Sequence, residues 1–212
     1  MEVLKIFTNK KDGNLAYHVN DKKANVDKNR QDLQRYGFTI KNLRIHKNNI
    51  EIINSDSSKL IDNCDALITN EKNIPLLVMV ADCIPVLLYD KEKGVIAAIH
   101  AGRNSTFLNI SEKTAKKMIK EFACEAKNIK AILGPSIQKC CYEVSQELAN
   151  IVKTSFGKEF VNNRNIDLQG INKQQLEKVG IKDIEISNHC TKCTDNSYFS
   201  YRVSSSTGRF AG

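Results

Sequence analysis

Two apolar stretches of the chain each end on a residue able to do chemistry. In Val80-Ala-Asp-Cys-Ile-Pro85 the end carries a carboxylate, Asp82, and a thiol, Cys83, and in His100-Ala-Gly-Arg103 it carries an imidazole. Two neighbouring strands ending at one rim would bring Cys83 and His100 into contact. Such a pair supports either a thiolate activated by imidazole or a zinc site that takes a further ligand and keeps one position open. His46, in Ile45-His-Lys-Asn-Asn49, is the natural third candidate, and spacing alone does not choose between the two chemistries. Asp82, and Asp65 in Cys64-Asp-Ala-Leu-Ile68, are carboxylates that could orient an imidazole or act as a base. Arg103 and the backbone amides opening an expected helix from Asn104 to Phe122 form an anion pocket suited to phosphate.

Seven cysteines are present: Cys64, Cys83, Cys124, Cys140, Cys141, Cys190 and Cys193. An odd count with no export signal points to thiols or metal ligands rather than a disulfide framework. Cys190-Thr-Lys-Cys193 is a CxxC beside His189, yet no second CxxC or His pair completes a zinc ribbon, and Cys140-Cys141 would contribute only if the fold brought it close. Inert thiols are the expectation there, with Cys64 and Cys124 in the core.

The elements that must position these residues follow from apolar periodicity. Val3 to Phe7 reads as a first strand, Val26 to Tyr36 as a short helix carrying Asn29 and Arg30, and Leu43 to Ile45 and Ile50 to Ile53 as extended pieces flanking His46. Leu76 to Val80, Pro85 to Tyr89 and Val95 to His100 are continuous apolar runs of strand length, the pattern of strands covered on both faces. After Gly102, Phe107, Ile110, Thr114, Met118 and Phe122 fall three or four apart, an amphipathic helix with Ser105 or Thr106 as its cap. Ile129 to Leu133, Ile184 to Ile186 and Tyr198 to Arg202 read as strands, Gln146 to Phe156 and Lys173 to Val179 as helices, and Ser204 to Gly208 as a loop. Strands and helices do not alternate regularly, so a mixed α+β fold, a single mixed-sheet domain with flanking helices, is expected over 1–212.

The 212 residues carry 41% apolar and 26% charged residues, soluble globular proportions that exclude a disordered or collagen-like chain. No apolar run approaches the roughly 20 residues that span a bilayer, so no membrane and a cytoplasmic place are expected. The net charge of +8 invites a nucleic-acid reading, but lysines are spread along the chain and tryptophan is absent. No nucleic-acid partner is expected, and attraction of an anionic small substrate is the useful remainder.

Five motifs now line up in order: Asp65-Ala-Leu-Ile-Thr69; Ala81-Asp-Cys-Ile-Pro85; Ala98-Ile-His-Ala-Gly102; Gly134-Pro-Ser-Ile137 with Cys141-Tyr-Glu-Val144; and Phe199-Ser-Tyr-Arg202 with Thr207-Gly-Arg209. In these the chain resembles the YfiH/YlmD-like family, formerly labelled polyphenol oxidase or laccase-domain, over Phe7 to Arg209. The resemblance implies a YfiH-like domain, zinc held by His46, Cys83 and His100, and phosphorolysis of purine nucleosides (adenosine, inosine, guanosine, methylthioadenosine) with adenosine deamination as a side activity in some members. The partners implied are a purine nucleoside and phosphate, and the chain is expected as a monomer or homodimer. Arg103, Arg202 and Lys10 are the phosphate-binding candidates, with Cys83, His100, Asp82 and Asp65 at the reaction centre.

The chain departs from the family in three places. Arg103-Asn104 stands where the family has Trp-Arg, Lys47 follows His46 in place of Gly, and Lys10 or Lys11 replaces an N-terminal arginine. A lysine holds phosphate as a point charge, not bidentately. Three rival readings are copper-dependent phenol oxidation, amide or thioester hydrolysis by a Cys83/His100 dyad, and a non-enzymatic metal-buffering or partner-binding protein. Four histidines are few for a multicopper cluster.

Overall fold

The structure, a computed structural model, describes residues 3–36, 41–43, 49–57, 60–61 and 64–212. Strands β1 (Lys41–Leu43), β2 (Ile50–Ile52), β3 (Leu60–Ile61), β4 (Ala66–Thr69), β5 (Leu76–Leu77) and β6 (Met79–Val80) follow helix α1 (Lys23–Asp32). The hairpin β7 (Ile84–Asp90) and β8 (Val95–Ala101) leads into helices α2 (Arg103–Phe107) and α3 (Ile110–Phe122). Then come β9 (Ile129–Leu133), α4 (Gln146–Ser155), β10 (Val161–Asn162), β11 (Asn165–Ile166), α5 (Leu168–Val179), β12 (Asp183–Ile186) and β13 (Phe210–Ala211).

The main sheet has the order β12-β9-β7-β8-β4-β2. Its inner pairs are antiparallel, while β2 runs parallel to β4 and β12 parallel to β9, so the sheet is mixed, as expected. Residues two apart share a face. Ile84, Val86 and Leu88 of β7 therefore lie with Ala97, Ile99 and Ala101 of β8 under the helices, packed with Ile110 and Met118 of α3 and Ile171 and Leu176 of α5. On the opposite face Ala98 and Leu67 pack with Ile53, Cys64 and Val78, and Leu87 joins them. Coverage on both faces explains the unbroken apolar runs in β7 and β8. His100, two residues from Ala98, belongs to this second face, away from the helices.

Several sequence expectations are corrected. Val3 to Phe7 forms no strand and belongs to none of the sheets. Phe7 packs so tightly on Gly134 that a Cβ there would clash with its ring. Tyr198 to Arg202 turns rather than extends, since its backbone is spent on local bonds such as Val203 N to Ser200 O at 3.2 Å and on a side chain described below. The helix after Gly102 is split: α2 ends at Phe107, Asn109 takes φ 60°, and α3 begins at Ile110. Gly102 is the N-cap of α2; Ser105, inside the helix, accepts from Gly102 N at 3.0 Å and donates to His100 O at 2.9 Å. Arg103 therefore opens the short α2 and not the long helix expected from Asn104 to Phe122. Helix α5 begins at Leu168 rather than Lys173, capped by Asp167, whose carboxylate accepts from Gly170 N at 2.8 Å. The run Leu76 to Val80 divides into β5 and β6, the latter paired with β13.

Among the described residues, no helix is long and apolar enough to cross a membrane.

Candidate active site

Cys83 immediately precedes β7, and His100 is the next-to-last residue of β8. The hairpin register sets Pro85 opposite His100 and Ile84 opposite Ala101, so thiol and imidazole meet at the open end of the hairpin. Their approach is close enough to dictate the following residue. A Cβ on Gly102 would lie 3.0 Å from His100 Cε1, 3.2 Å from Cys83 Sγ and 3.6 Å from His100 Nε2. Glycine is the residue that leaves this point open.

Asp65 immediately precedes the neighbouring strand β4. Its Oδ1 lies 3.2 Å from His100 Nδ1, with both residues buried, and its carbonyl accepts His100 N–H at 2.7 Å. A carboxylate on Nδ1 sets the tautomer and leaves Nε2 free to act. Burial works to lower the His100 pKa, but the charge of Cys83 and the hydrogen bond to Asp65 outweigh it and raise the pKa from 6.5 to about 10.

Asp82 is buried and has φ 83°, a conformation uncommon outside glycine, at the corner between β6 and β7. Both carboxylate oxygens are engaged: Oδ1 accepts from Thr191 Oγ1 at 2.6 Å and Oδ2 from Arg202 N at 2.7 Å. Ile137 N donates to the Asp82 carbonyl at 2.9 Å. One aspartate thus holds two of the five motifs and the CxxC turn against the Cys83 segment.

The phosphate candidates are placed unequally. Arg202 lies 5.0 Å over the Tyr142 ring and donates from Nη1 to Glu143 O at 2.8 Å. Arg103 is exposed, with Nε 3.3 Å from Asn104 Oδ1. Burial raises the Tyr142 pKa; the charge of Cys83 adds to this, and Arg103 and Arg202 oppose it, so the four groups share one electrostatic neighbourhood. Lys10 is held at the surface by Asn196. His46 lies outside the described residues.

Three residues here escaped the sequence reading. Tyr142 and Arg209 stood in quoted motifs without a role, and Arg209 now lies where the charges of Cys83 and Asp82 act on it. Thr191 gave no signal, being the middle of a CxxC. The hydroxyls of Ser136 and Ser200, one residue from Ile137 and two from Arg202, are buried without a hydrogen-bond partner among the described residues. Such groups call for an explanation, and a bound ligand is one. A cavity of about 350 Å³ elsewhere is lined by Leu4, Ile6, Leu77, Leu87, Ala98 and their neighbours, and none of Cys83, His100 and Asp65 borders it.

Residues 8–212 match the family described as multi-copper polyphenol oxidoreductase laccase. The chain is 38% identical to a purine nucleoside phosphorylase of Clostridium acetobutylicum, over 71% of this chain and 66% of that protein. It is 32% identical to a purine nucleoside phosphorylase of Corynebacterium glutamicum, over 99% of this chain and 93% of that one. The crystal structure of the hypothetical protein YfiH from Bacillus licheniformis superposes with a TM-score of 0.88 at 25% identity, covering 97% of this chain and 89% of that chain. The chain therefore belongs to the family of multi-copper polyphenol oxidoreductase laccases, the YfiH/YlmD-like proteins that its five motifs resemble.

Proposed function

We propose that this chain, acting as one domain, cleaves the N-glycosidic bond of purine nucleosides with phosphate, using zinc held by Cys83, His100 and His46. The observation that carries this reading is the convergence of Cys83 Sγ and His100 Nε2 on one point beside Gly102, in a chain whose relatives are named purine nucleoside phosphorylases. Thiolate and imidazole are ligand types that zinc takes, and Asp65 on the other ring nitrogen is the usual support of a ligating histidine. His46 enters from the family resemblance. When bound, zinc would supply a Lewis acid.

In the reaction the bond between the anomeric carbon and the purine nitrogen breaks, and its electron pair leaves with the purine, which takes up a proton. A phosphate oxygen bonds to the anomeric carbon. Arg202 and Arg103, with Lys10 at the margin, are assigned to the phosphate, where fixed cations orient an anionic nucleophile. Asp65 holds the imidazole. Asp82 holds Thr191 and the Arg202 backbone, and its lack of a free oxygen suits a positioning role.

Hypoxanthine release from inosine, with and without phosphate, tests the proposal, with Cys83→Ala as the control. Phosphate-dependent release that the variant loses is expected. Phosphate-independent release would instead describe a nucleoside hydrolase. Ammonia release from adenosine reads the deaminase side activity.

One observation favours a second reading. His100 stands between Cys83, whose sulfur shares with Nε2 the point beside Gly102, and Asp65 on Nδ1, the order of a Cys-His-Asp hydrolase. Turnover of a thioester that survives zinc removal and stops on Cys83 alkylation would select it. Copper oxidation is disfavoured by the chain itself, because a multicopper cluster takes more than its four histidines.

A further inference from the structure

The four cysteines Cys140, Cys141, Cys190 and Cys193 stand outside the site described above. The first pair follows the Gly134-Pro-Ser-Ile137 segment beyond β9, and the second follows β12. The fold closes the gap of about fifty residues between them: Ser136 bridges Cys190, and Thr191 N donates to Ser136 O at 3.1 Å. All four sulfurs lie within 4.8 Å of one another, and Cys140 Sγ and Cys193 Sγ are 3.6 Å apart. A tetrahedron of sulfurs at a Zn–S distance of about 2.3 Å has edges of about 3.8 Å, so little movement is needed to surround an ion.

The local backbone is also built for it. Thr194 Oγ1 accepts Cys190 N–H at 2.8 Å, and Thr194 N donates to Cys190 O at 3.1 Å, so the turn is closed before any ion enters. Asn165 Nδ2 fixes the other side by donating to the carbonyls of Lys139 at 2.8 Å and Cys140 at 3.1 Å.

We propose that Cys140, Cys141, Cys190 and Cys193 form a second metal site, which binds one zinc ion as a tetrathiolate and clamps the 138–141 turn to the 190–193 turn. Four thiols with no open position are the mark of a structural site. The clamp lies beside Thr191, whose hydroxyl holds Asp82, so the ion would steady the Cys83 corner without touching substrate. The site does not depend on the phosphorolysis reading.

The test is zinc content and coordination in Cys83→Ala, which removes one of the three other proposed ligands, after dialysis against a weak chelator. One zinc per chain is expected, and zinc-edge X-ray absorption should report four sulfur neighbours at about 2.3 Å. In an otherwise unaltered chain, Cys140→Ser/Cys193→Ser should lose one zinc equivalent relative to the parent. No retained zinc in Cys83→Ala, nitrogen or oxygen neighbours in place of sulfur, iron as the bound metal, or a disulfide among the four cysteines after isolation under reducing conditions would each overturn the proposal. The absorption measurement leaves all four cysteines in place, so it stands even if the double variant fails to fold.

Discussion

Asp65 Oδ1 and His100 Nδ1 lie 3.2 Å apart with both side chains buried, and the Asp65 carbonyl also accepts His100 N–H. The aspartate therefore fixes the ring and the backbone of the same histidine. Asp65→Asn keeps the size but loses the carboxylate that sets the tautomer. Zinc affinity and nucleoside turnover should each fall about 10- to 100-fold, read by competition with a metal indicator and by steady-state kinetics. Unchanged values would remove the orienting role.

Gly102→Ala puts a methyl group 3.0 Å from His100 Cε1 and 3.2 Å from Cys83 Sγ, so the two must give way by tenths of an ångström. A loss of at least about tenfold in kcat/KM is expected, since displacements of this order disturb aligned reacting groups. Wild-type kinetics in the variant would mean that Cys83 and His100 do not act at that point.

Thr191→Val leaves Asp82 Oδ1 buried with one donor fewer. The expected cost is about 1–3 kcal/mol, measured by urea unfolding. A loss near zero would show that Asp82 finds another partner.

Cys124 is buried, and its thiol pKa is raised to about 12, chiefly by burial and then by the charge of Asp90. A raised pKa leaves less thiolate at neutral pH. Iodoacetamide at pH 7.5 should leave Cys124 unmodified in the folded chain and label it after denaturation, as mass spectrometry of the peptides would show. Rapid labelling of the native protein would contradict that environment.

Some of this was legible in the residues themselves. The unbroken apolar runs Pro85 to Tyr89 and Val95 to His100 declared buried strands, and a thiol and an imidazole at their ends suggested a shared rim. Periodicity could not report where a helix breaks: the stripe from Phe107 to Phe122 continues through Asn109, where the backbone turns left-handed. Nor could it show partners joined only by the fold. Thr191 meets Asp82 across 109 residues, and the Cys140 and Cys193 sulfurs meet across 53, distances over which spacing carries no information.

The turn of the β7–β8 hairpin lies at the far end from the chemistry. There Asp90 Oδ1 accepts Glu92 N at 2.9 Å and Lys93 N at 3.0 Å, and Gly94 takes φ 68°. These contacts set which residues pair along the whole hairpin, and a slip of one residue would carry every side chain of β8 to the opposite side. The imidazole would then point into the helices. Asp90, some 20 Å away by strand geometry, therefore acts as the spelling rule of the hairpin: it decides whether the thiol and the imidazole ever meet.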